Sequence, residues 1–212
     1  MQAPKVTEAM LTPKSFLQIY DDEDLLLENG LIKNEILEQQ NEDHPMLETC
    51  IIDHVIFNVS EITRFEATDV IFTNCDFSNC NFSEATFYRV QFLNCKMVGI
   101  NLNGSYLNNV EFKNCLLNLA SLNIVNAKDV NFVECRLAEA SFNENKLKKI
   151  KFEQCDIDKM AILETNMRNV DISTCEFESL EAQQELIRGM QVNEQQATYF
   201  ANYFLGVKIK LI

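Results

Sequence analysis

From Ile52 to Ala182 every fifth residue is apolar, in a run that includes Phe72, Phe77, Phe82, Phe87, Phe92 and Met97. Two places before each of these stands a second class, mostly small: Cys75, Cys80, Ala85, Val90, Cys95, Ile100, Ser105. All eight cysteines of the chain fall in this second class. Neither regular element carries such a pattern. Five residues of α-helix turn through about 500°, which leaves successive repeats about 140° apart. On a flat strand an odd step alternates between faces. A five-residue period stays inward only if the chain turns a corner in every repeat, with a bulky residue and a small one filling a narrow interior together.

A longer period gives the number of sides. Cys75, Cys95, Cys115, Cys135, Cys155 and Cys175 stand 20 residues apart, as do Phe72, Phe92, Phe112, Phe132 and Phe152. Four repeats therefore return the chain to the same face one layer on. The predicted fold is an all-β solenoid, a four-sided β-helix over residues 51–182 with about seven coils stacked at ~4.8 Å. Outward positions, such as Asn108, should then tolerate charge. The inward cysteines read as small core residues, since no C-x-x-C pair is present and the chain has only two histidines.

The ends differ from the repeat. Residues 1–14 read as loosely ordered and 15–50 as an acidic cap and first coil, with 11 acids against 3 lysines in residues 1–50. In residues 183–212, Asn193 and Gln196 form a capping box ahead of an apolar stripe: Ala197, Phe200, Ala201, Phe204 and Leu205. Gly206 is placed to end that helix. Val207, Ile209 and Leu211 then alternate with lysines, as a short strand would. An open solenoid end exposes unpaired strand edges. The helix is expected to cover that end, and its stripe to form a homodimer contact.

Composition narrows the function. A formal charge of −14 on 212 residues argues against nucleic acid as a direct partner of the chain as a whole. No apolar run reaches membrane-spanning length, and the start lacks a signal-peptide stretch, so a cytoplasmic protein is expected. Five glycines and no Gly-rich loop give no phosphate cradle. His44 and His54 have no nucleophile partner in the pattern, and no metal or cofactor spacing occurs. A non-enzymatic binding protein is expected. Charge is uneven, however: Lys128, Lys148 and Arg168 share one column, with Lys149 and Lys151 beside it.

Specific stretches carry a resemblance: Asp76-Phe77-Ser78-Asn79, Arg89-Val90 with Phe92-Leu93, and Ser105-Tyr106-Leu107. Arg136-Leu137, Lys148-Lys149, Cys155-Asp156 and the tail Gln196-Ala197 with Tyr199 and Ala201 extend it. On these the chain resembles the pentapeptide-repeat family. Within that family it is similar to the Qnr-type quinolone-resistance proteins, nearest to the chromosomal kind of Gram-positive bacteria such as enterococci. The resemblance runs from about Tyr20 to Ile209. It implies a right-handed quadrilateral β-helix, dimerised through its C-terminal segment into a rod that mimics B-DNA. It also implies binding to DNA gyrase and topoisomerase IV, and their protection from quinolones. The outward acids Glu134, Glu153, Asp156, Asp171 and Glu176 are the expected partner-binding surface. The unbroken register leaves no room for loops projecting from the coils. The alternative reading is a structural scaffold for a different protein partner.

Overall fold

The structure, a computed structural model, describes residues 1–208. The alternation expected at Ile209 and Leu211 lies outside them, and Val207 and Lys208 have no regular structure. Six strands of eight residues dominate: β1 (Met46–Asp53), β2 (Glu66–Thr73), β3 (Thr86–Leu93), β4 (Tyr106–Lys113), β5 (Asn126–Val133) and β6 (Lys146–Glu153). All pair in parallel with partners 20 residues apart, as in Val90 with Val110 and Phe92 with Phe112. Each strand wraps two sides of the rod and bends at a residue of positive φ: Thr49, Asp69, Arg89, Asn109, Asp129 and Lys149. The other two sides are held by single bridges, such as Lys96 with Leu116 and Asn101 with Ser121. Corners recur at five-residue steps, at Asn74, Asn79, Glu84 and Arg89 with φ of 55°, 56°, 60° and 54°. Left-handed backbone costs an ordinary L-residue ~1–2 kcal/mol, which explains the asparagines and Gly99 and Gly104 at this position.

The core is a set of vertical columns. Phe72, Phe92, Phe112, Phe132 and Phe152 stack with centroids 4.9 to 5.1 Å apart and planes within 7°. Each such pair adds ~0.5–1.5 kcal/mol beyond burial. Where the central residue is small, its neighbour fills the gap. Ala67 sits beside Phe65, whose ring packs edge-on to Phe82 and Phe87.

All eight cysteines are buried and free, as the pattern predicts. Their position has a second property. Each donor-bearing side chain there reaches the carbonyl 23 residues earlier: Cys115 to Phe92 at 3.3 Å, Cys135 to Phe112 at 3.3 Å, Thr165 to Phe142 at 2.9 Å. Thiol and hydroxyl are thus interchangeable as small residues with one donor. Burial pushes the Cys50 thiol up to about 11 and that of Cys80 to about 12.

The solenoid has about eight coils rather than seven. Leu27 lies beneath Leu47 and Ile32 beneath Ile52, so the first coil begins well before Ile52. That places it within residues 15–50, where polar residues interrupt the five-residue pattern, because Glu35 and Glu42 occupy inward register positions. Both serve a capping 3-10 helix, Phe16–Asp21. Glu35 accepts the Phe16 N–H at 3.0 Å, and Glu42 accepts the Tyr20 hydroxyl at 2.9 Å. Phe16 and Ile19 close the open end of the core.

Residues 1–14 are not left apart from the rod. The Gln2 N–H donates to Asn109 Oδ1 at 2.6 Å and the Lys5 N–H to Asp69 Oδ1 at 2.8 Å. The segment crosses successive coils like a strap, and Asn108, outward by register, is buried. At the far end α1 (Glu194–Leu205) has the expected capping box, and Gly206 ends it at φ 65°. Gln196 donates to the carbonyls of Ile172 and Cys175, both at 2.8 Å. Tyr199 donates to the Leu180 carbonyl at 3.1 Å. The helix therefore satisfies the last coil's exposed backbone as well as covering its apolar interior.

Candidate protein-binding surface

At the C-terminal end of the rod the outward residues of consecutive coils form an acidic groove. Register places Asp156 directly under Glu176, and Arg136 under Asp156. Glu134 turns the adjacent corner, and its N–H donates to the Glu153 carbonyl at 2.8 Å. Glu134, Asp156 and Glu176 line one concavity of about 340 Å³, which also holds Arg136. It continues into a larger one of about 690 Å³ that runs to Asn193 and Tyr199 at the base of α1. Asp158 and Glu178 complete that second wall. The expected acidic residues thus divide. Glu134, Glu153, Asp156 and Glu176 gather at one corner, while Asp171 stands on the far edge of its side, in the column of Lys151.

Asp158 and Glu178 were not singled out in the sequence, although they stand 20 apart and two residues after Asp156 and Glu176. The same register that groups the others would have found them. Asp158 accepts the N–H groups of Glu178 and Ser179, both at 2.9 Å. The Ser179 amide foremost, with that of Glu178, holds its carboxyl below the usual range despite some desolvation. Hydrogen bonds from Ser173 do the same for Asp171. Among the described residues no cation lies within ion-pair distance of Glu134, Glu153, Asp156 or Glu176; Lys159 approaches Asp158 only at 4.0 Å. Carboxylates one coil apart, ~4.8 Å, repel by roughly 1 kcal/mol even in water. The groove therefore concentrates negative charge at this end of the rod.

The residues expected at a dimer contact separate into two groups. Phe200 is buried against its own rod, 5.9 Å from the Phe177 ring, so its side chain is taken up by the lid. Phe204 and Ala201 are half-buried, and Ala197 and Leu205 are exposed. Leu205, Tyr203 and Val207 leave apolar surface on the outer side of α1. No three His, Cys, Asp or Glu side chains among the described residues gather as a metal site. None of the described helices is long and apolar enough to cross a membrane.

Comparison with known proteins adds one family match, over about a third of the chain. Residues 65–134 match the model of the pentapeptide repeat region. By fold, the chain is a β-helix of pentapeptide repeats. Structures similar to this β-helix include the pentapeptide repeat protein Rfr23 of the cyanobacterium Cyanothece 51142. It is 13% identical at a TM-score of 0.40, over 48% of this chain and 86% of that one. QnrB1, a plasmid-mediated fluoroquinolone resistance protein, in a trypsin-treated form is 16% identical at 0.35, over 87% and 90% of the two chains. HetL, involved in heterocyst differentiation regulation in Nostoc sp. strain PCC 7120, is 10% identical at 0.31, over 78% and 86%. A comparison with curated proteins finds no match to this β-helix.

Proposed function

We propose that the β-helix is a non-enzymatic binding protein that presents its acidic groove to the DNA-binding surface of another protein, in the place of duplex DNA. The observation that carries this reading is the unpaired set Glu134, Asp156 and Glu176 around one concavity, with Glu153, Asp158 and Glu178 at its margins. The array has the character of a phosphate row: fixed anions on a rigid rod at strand spacing, with few cations among them. A surface built to grip DNA carries lysines and arginines that pair with such a row, and charge complementarity of this kind accelerates association. The resemblance to Qnr-type sequences identifies DNA gyrase and topoisomerase IV as the partners to test, and protection from quinolones as the expected consequence. In this reading the outer side of α1, with Tyr203 and Leu205, joins two chains into a longer rod. The test is gyrase supercoiling and drug-induced cleavage with the purified protein, with and without ciprofloxacin. Inhibition of supercoiling together with reduced drug-induced cleavage supports the proposal. Indifference of gyrase in both assays, at concentrations where the protein is soluble, returns it to a scaffold for another partner.

A further inference from the structure

Five of the chain's 18 basic residues lie on one side of the last coils, away from the acidic groove, with Lys149 at its corner and Lys151 just past that corner. Lys128 and Lys148 are paired in register between β5 and β6, and Arg168 and Arg188 continue the column at 20-residue steps. Lys146, Lys149 and Lys151 flank it on β6. All seven are exposed. Among the described residues only Lys149 has an acidic partner, Asp129 at 3.6 Å. Like charges one coil apart repel, and here intramolecular acids offset them at one position only.

The column borders a groove of about 510 Å³ whose lining includes Lys146, Lys148, Arg168, Asn126 and Asn166, and no carboxylate. Asn166 Oδ1 accepts the Arg168 N–H at 3.0 Å, which leaves its Nδ2 as a donor. A Cβ at Gly189 would meet Arg168 Cγ at 3.3 Å, so glycine at that corner leaves space for the Arg168 side chain to lie along the column. The charged side chains that line the site are all cations, and its carboxamides add further N–H donors.

We infer that this side of the rod is a docking track for a phosphodiester strand, a nucleic acid held through its backbone. Shape favours a strand over a flat anionic surface. The track is narrow, and the adjoining corner column carries Glu144 and Glu164, both exposed. A bilayer would press on those acids together with the lysines, whereas a single strand follows the column and clears them. Spacing agrees, since Lys146 and Lys148 are two residues apart on an extended strand, ~6.6 Å, within reach of successive phosphates. The overall charge of −14 opposes approach from afar. Within the screening length of ~8 Å at physiological salt the local track dominates, so the binding is short-ranged and salt-sensitive.

The experiment is fluorescence anisotropy of a labelled single-stranded oligonucleotide with the full chain. With about four phosphates neutralised, affinity should fall ~50-fold between 50 and 200 mM salt. Lys128→Glu, Lys148→Glu and Arg168→Glu together should abolish binding, with the circular dichroism spectrum unchanged. Glu144→Lys with Glu164→Lys widens the track and should tighten binding, a gain that misfolding does not produce. Inorganic phosphate should compete only at millimolar concentration, and phosphatidylserine vesicles should not be retained. The inference is overturned if the oligonucleotide does not bind at 50 mM salt, if charge reversal on the track leaves binding unchanged, or if vesicles bind and the oligonucleotide does not. Gyrase binding through the acidic groove is a separate measurement, so either result stands without the other.

Discussion

Arg89 Nε donates to Asp69 Oδ1 at 2.6 Å, and the same oxygen accepts the backbone N–H of Lys5 at 2.8 Å. One carboxylate thus joins two neighbouring coils and the strap that crosses them. Both side chains are about nine-tenths buried. Arg89 also lies 4.0 Å from the centroid of the Tyr88 ring.

Burial alone would raise the Asp69 pKa, but hydrogen bonds from Arg89 and the Lys5 amide, with the Arg89 charge, hold it below its ordinary value. A depressed carboxyl pKa gives stability that is present above the unfolded value of ~3.9 and is lost as pH falls through the folded value. Asp69→Asn should therefore flatten the acid limb of the stability curve below about pH 4. Removing one partner of a buried pair should also lower stability at neutral pH by ~3–5 kcal/mol. Hydrogen exchange at the Lys5 amide should accelerate in Asp69→Ala, which leaves that N–H without its acceptor. Unchanged exchange there would mean that Asp69 does not hold the strap.

The repeat was legible because each coil states it again. Phe72, Phe92, Phe112, Phe132 and Phe152 occupy equivalent positions, and the C-terminal helix was legible from its capping box. The first coil was placed within residues 15–50, but its register was hidden there, because Glu35 and Glu42 answer hydrogen bonds from a cap outside the repeat. The burial of Asn108 was hidden for a related reason: nothing in a five-residue register indicates that residues 1–6 return across the rod. The helix stripe predicted an apolar contact, yet a stripe alone does not say whether its own rod or a second chain receives it. For Phe200 it is the rod.

Eight buried thiols should resist a water-soluble reagent in the native protein, because burial blocks access to the sulfur atoms. Labelling with dithionitrobenzoate should be slow without denaturant and complete on unfolding. Prompt reaction of several native thiols would contradict the inward column. Cys115→Ser should be well tolerated, since its hydroxyl can donate to the Phe92 carbonyl as the thiol does. Cys115→Leu should lose ~1–3 kcal/mol from overpacking.

Ile124 turns a corner at φ 60° and is 61% exposed. A β-branched residue is strained in this conformation, and Asn is suited to it. Ile124→Asn should raise the midpoint of chemical denaturation, by ~1 kcal/mol in stability. The same substitution at Phe112, inside the ring stack, should prevent folding. A neutral or harmful Ile124→Asn would show that Ile124 makes a contact that outweighs its backbone strain.

On the lid, Phe200→Ser should destabilise the last coil, because Phe200 packs against Phe177 and Tyr199. Tyr203→Ser with Leu205→Ser changes only the outer side of α1 and should leave the fold intact. Light scattering distinguishes their roles. If the outer side joins two chains, the wild type is a dimer and the double variant a monomer. A wild type that remains monomeric at every concentration would limit α1 to closing its own rod.

The most direct measurement is competition between this protein and labelled duplex DNA for gyrase, read as displacement at fixed salt. Glu134→Lys, Asp156→Lys and Glu176→Lys together alter the acidic groove. Glu38→Lys, Glu48→Lys and Glu84→Lys make the same change elsewhere on the rod. Three reversals of two charge units take each variant from −14 to −8, so position is the only variable. The wild type and the second variant should displace the duplex equally well, and the groove variant should be weaker by at least tenfold, ~1.4 kcal/mol. A groove variant that displaces DNA as well as the wild type would contradict the account.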